Sequence, residues 1–267
     1  SVPPRRFPDM AAPLTLPLAD ILALVGRLDD APGFDSARER FRRFLGDRIT
    51  TVALLESLLE QCQEQLSEPH VRARQDLVVF LGRFLGFEVS FGSYAPRDGS
   101  ARVDGQWRSG RLRLLLDVRS ERTAEGDVQA FGRTLAAVAA AGAADGDEWG
   151  GLSVLTPYYV GGQTPATRAD ASEGPRVRTV SLGSLLWLAH RHAEGRLLHA
   201  DVVRLLTSGP DSDFMIDLMR RLTGGDRDQA PVADAPPVAP SQGPAAQHAI
   251  AEVAAPPPSA PDPSVVP

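Results

Sequence analysis

The sequence predicts an α/β fold. A mixed sheet is flanked by helices, preceded by a small helical unit and followed by a disordered Ala/Pro-rich tail. Three observations carry this. Apolar residues recur at three and four positions up to Leu85, switch to alternate positions between Glu88 and Arg119, and regain helical spacing from Asp127. The run Gly151–Tyr159 is mainly apolar and is read as a buried strand. From residue 228 onward arginine disappears and Ala, Pro, Val and Ser dominate.

Residues 1–17 carry five prolines and are expected to form an irregular arm. Leu18 to Leu28 reads as a short amphipathic helix, ended by Asp29–Gly33. Ser36 has capping-box spacing to Glu39, with Phe41, Phe44 and Leu45 inward. A third helix starts at Thr50 or Thr51 and turns Val52, Leu55, Leu58, Leu59 and Cys62 inward. A fourth spans about Val71 to Leu85 and stops at Gly86. Strands follow at 88–94, 101–108 and 111–119, then a helix at 127–141 and strands at 151–159 and 177–180. Helices at 182–192, 200–206 and 213–222 close the body. The chain thus divides into an arm (1–17), a helical unit (18–68), an α/β domain with carboxy-terminal helices (69–227) and a tail (228–267).

The 267 residues are 43% hydrophobic, carry a net charge of −6 and include no lysine: every basic residue is arginine. This excludes a Schiff-base lysine, a phosphate-loop lysine and the usual lysine of a metal nuclease. Eleven of the 23 prolines lie between Pro231 and Pro267, and so few large side chains cannot offset the entropy of ordering. The single Cys62 precludes an intrachain disulfide and is read as a packed thiol. No apolar run is long enough for a membrane span, and the first residues have no signal-peptide core, so a cytoplasmic location is expected.

The segment Arg111–Arg119 is the most informative. Its even positions, Leu112, Leu114, Leu116 and Val118, are apolar, and its odd positions are polar except Leu115. With Ser109-Gly110 as a two-residue turn, Trp107 faces Leu112 and Gly105 faces Leu114. On the polar face Arg102 faces Asp117, and Asp104 lies diagonal to Asp117. Two readings stay open there. Asp104 and Asp117 can converge on a Mg²⁺ ion, or Arg102 can pair with Asp117 on a solvated sheet face.

The segments RQDLVVFLGRFLGFEV, VDGQW, LLLDVRS, GDVQAFGRTL and GLSVLTPYY, in this order, resemble the restriction-endonuclease-like, or PD-(D/E)xK, superfamily, in particular its resolvase and Mrr-like branches. The resemblance covers about Val71 to Leu206. It implies that Asp104 is the first metal-binding aspartate, that Asp117 fills the second acidic position and that Mg²⁺ is the cofactor of an active member. Arg119 falls where the family usually has a water-activating lysine, and Gln75 aligns with a glutamate that some members carry on the first helix. Gln129 resembles a helix-borne glutamine of certain branches. Arginine offers no deprotonated amine near neutral pH, and a neutral Gln75 weakens a second metal position.

Charge adds to this. Nonspecific DNA affinity comes mainly from phosphate neutralisation, yet the body is nearly neutral. Arg102, Arg108, Arg111 and Arg113, with Arg119, form an arginine-rich hairpin face suited to a nucleic-acid backbone. Arg38, Arg40, Arg42 and Arg43 make a second cluster among Phe41 and Phe44, read either as a solvated helix face or as a surface for nucleic acid or an acidic partner. The histidines His70, His190, His192, His199 and His248 are read as satisfied or exposed rather than zinc ligands. Tyr158 and Tyr159 are placed at the rim of the hairpin face.

The expectation that emerges is a catalytically degenerate nuclease-fold domain, an adaptor or scaffold in a bacterial intracellular assembly without a cofactor. It would hold a protein partner through the helical unit or the tail, with a dimer allowed. The alternatives are a Mg²⁺-dependent DNA endonuclease of a defence or repair system and a non-cleaving nucleic-acid-binding module.

Overall fold

A computed structural model describes residues 16–65, 67–96, 102–120, 125–142, 146–156, 176–208 and 212–223. The expected tail, nearly all of the arm, the polar loop at 161–175, Tyr158, Tyr159 and His248 lie outside the described residues.

Three helices come first. In α1 (Leu18–Val25) the residues Leu18, Ile21, Leu22 and Val25 are buried. The Ser36 hydroxyl opens α2 (Ala37–Arg48) by accepting the Glu39 N–H at 3.4 Å. The Glu39 carboxylate turns to Arg38 and Arg42 instead, at 3.2 and 3.7 Å, so half of the expected capping box forms. Thr51 caps α3 (Val52–Glu64) by accepting the Leu54 N–H. The fourth helix, α4 (Glu68–Leu81), begins three residues before Val71 and tightens into a 3₁₀ turn at Gly82–Leu85. Gly86, at φ +88°, then reverses the chain in a conformation that disfavours other residues.

The sheet is five-stranded in chain order: β1 (Glu88–Phe91), β2 (Gly105–Ser109), β3 (Leu112–Ser120), β4 (Glu148–Thr156) and β5 (Val177–Ser181). The first three strands form an antiparallel meander, and β4 and β5 add in parallel. Helix α5 (Glu125–Ala141) connects β3 to β4, since a parallel neighbour requires a crossover. The body ends with α6 (Leu182–Ala193), α7 (His199–Thr207) and α8 (Ser212–Leu222). Among the described residues no helix is long and apolar enough to cross a membrane.

The period-two pattern sorts the sheet faces. Trp107, Leu114, Leu116, Val118, Leu152, Val154 and Val180 share one apolar cluster with α1 to α4, α6 and α7. Leu115 faces the other way, against Phe131 and Leu135 of α5. The approach of α4 to β2 is close: a side chain at Gly105 would put its Cβ 2.5 Å from Val79 Cγ1. The Trp107 indole packs against Gly82 and donates to the Val79 carbonyl at 2.8 Å, which satisfies its buried N–H. This tight contact fixes the sheet beneath the helix that carries Gln75 and Asp76.

Candidate functional site

The hairpin register differs from the expected one. Trp107 pairs with Leu114 and Gly105 with Leu116, two residues away from the sequence-based alignment. The two-residue loop is Gly110-Arg111 instead of Ser109-Gly110. Gly110 supplies the positive φ (+58°) that such a loop needs at its first position. A shift of two preserves parity, so every side chain keeps its face while its partner changes. The Asp104 N–H donates to the Leu116 carbonyl at 2.9 Å, so Asp104 lies beside the strand segment that carries Asp117.

The polar face is not solvated here. Asp104 is fully buried, and Asp117 and Arg119 are 5% and 7% exposed. Asp104 Oδ2 accepts the Val118 N–H at 2.5 Å. Arg102 does not pair with Asp117. Its Nε stands 2.6 Å from Asp104 Oδ1, and its Nη2 donates to the Val118 carbonyl at 3.1 Å. Asp117 is held by the guanidinium of Arg119, two residues along its own strand. Ser153 lies beside Asp117 in the parallel register, and the Thr156 hydroxyl donates to the Arg119 carbonyl at 2.8 Å. Burial pushes the Asp104 carboxyl up to about 7; the Asp117 charge adds to this, and Arg102 and the Val118 N–H oppose it.

The fit to Mg²⁺ follows from these contacts. A divalent cation needs several oxygen ligands facing a common point. Each carboxylate is in contact with a guanidinium, and Asp104 also accepts a backbone N–H. Among the described residues no group of three or more His, Cys, Asp or Glu side chains can hold a metal ion. As arranged, these residues do not fit a resident Mg²⁺.

Gln75 is buried, and its amide donates to the Ser93 carbonyl at 3.0 Å. Ser93 in turn donates its backbone N–H to Val103, so Gln75 supports the loop next to Asp104. Gln129 stands exposed on α5.

The hairpin arginines are engaged within the chain. Arg108 pairs with Glu88 at 3.2 Å, Arg113 with Asp147 at 2.8 Å, and Arg111 donates to the Gly146 carbonyl at 2.6 Å. The cluster on α2, read as a solvated face or a basic surface, is also consumed. Arg38 pairs with Asp30 at 2.7 Å, and Arg40 and Arg43 pair with Asp35.

Arg42 is the pivot of a network that sequence reasoning missed. Its guanidinium grips both oxygens of the fully buried Asp76 at 3.0 Å and donates to the Gly92 carbonyl at 2.9 Å. The Tyr94 hydroxyl donates to Asp76 at 2.6 Å, and Asp30 accepts the Tyr94 and Ala95 N–H groups. Burial pushes the Asp76 carboxyl up, while Arg42 and Tyr94 pull it down. A signal existed: Asp76 shares a helix face with Ala73 and Phe80, both buried, so its carboxylate had to have a partner inside. A cavity of about 480 Å³ lies beside this network, lined by Arg38, Arg42, Ser90, Gly92, Gln106 and Leu115 among others.

The histidines are all satisfied within the described residues. His199 takes the Leu85 carbonyl on Nδ1 and the Ser109 hydroxyl on Nε2, both at 2.7 Å, so it pins the hairpin end to α7. His190 contacts Glu56, His192 the Leu197 carbonyl and His70 the Ser67 hydroxyl. No protein-family model and no curated protein matches the chain.

Proposed function

We propose that this chain is a restriction-endonuclease-like domain that has exchanged hydrolysis for binding, and that it serves as an adaptor or scaffold. The observation that carries this reading is the pair of enclosed aspartates, each in contact with its own arginine. In the nuclease family that position holds a metal between carboxylates, with a lysine alongside. Here Arg102 and Arg119 supply fixed positive charge in its place, and Arg119 has no proton to give up at neutral pH. The meander followed by two parallel strands, with α4 leading into it, supports the nuclease-like identity. The internal pairing of Arg38, Arg42, Arg102 and Arg113 favours a protein partner over a nucleic-acid backbone, because an arginine already neutralised releases fewer counterions on binding DNA.

The test is a cleavage assay on plasmid and oligonucleotide substrates with Mg²⁺ and Mn²⁺. The wild type is expected to show no cleavage above that of Asp104→Ala and Asp117→Ala. Metal-dependent cleavage lost in both variants would return the protein to the endonuclease class. Strongly salt-dependent DNA binding without cleavage would favour the nucleic-acid module instead.

A further inference from the structure

His199 and Ser109 meet where α7 begins and the β2–β3 hairpin turns. The His199 Nδ1 lies 2.7 Å from the Leu85 carbonyl. A carbonyl only accepts, so Nδ1 carries the ring proton, and in the neutral imidazole Nε2 is the acceptor. The Ser109 hydroxyl, 2.7 Å from Nε2, therefore donates to it. The ring has little freedom to leave this position. Phe87 packs against it edge to face with centroids 4.8 Å apart, and a side chain at Gly86 would put its Cβ 2.7 Å from Nδ1. A hydroxyl bonded to an imidazole that a third group orients is the arrangement that activates a serine as nucleophile.

Both side chains are half-buried, and the space beside them is open. Gly110 follows Ser109 and is exposed, and a Cβ built there would meet nothing within 4 Å. Gly110 and Arg111 form the loop, so their N–H groups stand outside the β2–β3 ladder. The N–H that follows the nucleophile is one that serine hydrolases aim at the developing oxyanion. Apolar surface is at hand: Leu112 pairs with Ser109 across the hairpin, and Leu198, the residue before His199, is 69% exposed. Ser109 shares the sheet face of Trp107, opposite to Asp104 and Asp117, so the pair is separate from the aspartate–arginine cluster.

We propose that Ser109 is a nucleophile, with His199 as its general base, for the hydrolysis of small esters that carry a short apolar acyl group. The Ser109 Oγ bonds to the ester carbonyl carbon while its proton passes to His199 Nε2. The bond from that carbon to the alcohol oxygen then breaks, and the alcohol leaves with the proton from Nε2. Water attacks the acyl-serine by the same route and gives a proton to Nε2. The carboxylic acid departs, and Ser109 Oγ regains that proton. One ester and one water become one acid and one alcohol, and nothing else is consumed. Leu112 and Leu198 face the acyl group, which sets the preference for apolar chains.

The test uses the full chain with p-nitrophenyl acetate and butyrate, and with a fluorophosphonate, whose fluoride a reactive serine displaces at phosphorus. The wild type is expected to hydrolyse both esters and to carry the phosphonyl group on Ser109, located by peptide mass spectrometry. Ser109→Ala and His199→Gln are each expected to lower hydrolysis about a hundredfold. Glutamine keeps a hydrogen-bonding side chain at position 199, so a merely structural pin tolerates it and a base does not; circular dichroism checks the fold of both variants. His190→Gln, whose ring contacts Glu56 on α3, should match the wild type. A wild type with no adduct on Ser109 overturns the proposal, and this outcome decides even where a variant fails to fold. Hydrolysis that persists in a folded Ser109→Ala or His199→Gln overturns it equally.

Discussion

Asp104 sends its carboxylate across to the backbone N–H of Val118, the residue after Asp117, at 2.5 Å. This bond holds two buried acids side by side, with Arg102 against one and Arg119 against the other. Burial pushes the Asp104 carboxyl up to about 7, out of the usual carboxylate range, against the opposing pull of Arg102 and the Val118 N–H.

That shift sets a pH dependence of stability. A carboxyl raised on folding binds its proton more tightly in the native state than in the unfolded chain. Its contribution is complete below about pH 4 and is lost as pH rises to about 7. Denaturant titrations of the wild type and Asp104→Asn at pH 5 and pH 8 measure the effect. The wild type should lose stability relative to the variant on going to pH 8, by at most about 3 kcal/mol, the part of the shift that lies above pH 5. A difference that is flat with pH would show that the carboxyl is not raised.

Arg42 is expected to matter for stability more than any arginine of the surface clusters. Arg42→Met leaves the Asp76 carboxylate buried with only the Tyr94 hydroxyl, and such broken buried pairs cost about 3–5 kcal/mol. Arg43→Met, whose partner Asp35 is exposed, should cost under about 1 kcal/mol. Urea denaturation of the two variants compares them directly.

Gly105 is predicted to tolerate no side chain. Gly105→Ala drives a methyl into Val79 and should destabilise by about 1–3 kcal/mol. Val79→Ala in the same chain should recover part of that loss, a coupling that a double-mutant cycle reads out.

Cys62 should be inert in the folded protein. It is buried, and desolvation pushes its thiol up to about 12, so almost no thiolate is present at neutral pH. Thiol-reactive dye should label it only at the rate of unfolding; rapid labelling under native conditions would contradict the packing of α3.

The faces of the hairpin were legible because side-chain alternation survives any even shift of register. The register was not, since it depends on which two residues form the loop, and Ser109-Gly110 and Gly110-Arg111 are both plausible on composition. The enclosure of Asp117 and Arg119 could not be read locally, because α5 covers part of that face and no pattern in β3 announces it. Arg42 looked like one of four arginines on a helix face. Its role depends on Asp76, 34 residues away, and only the fold brings the two together. Helix starts were legible where Ser36 and Thr51 cap them. The end of α4 was less so, since the 3₁₀ turn at Gly82 reflects the packing of Trp107 from a distant strand.

On the proposed reading, arginine charge stands where a PD-(D/E)xK nuclease would hold a metal. Binding of Mn²⁺ to the full chain, followed by electron paramagnetic resonance at pH 8, where Asp104 is ionised, tests it most directly. The account predicts no bound ion in the wild type beyond what Asp104→Ala and Asp117→Ala also retain, even after Arg119→Lys. One equivalent of Mn²⁺ held by the wild type and lost in both alanine variants would contradict it.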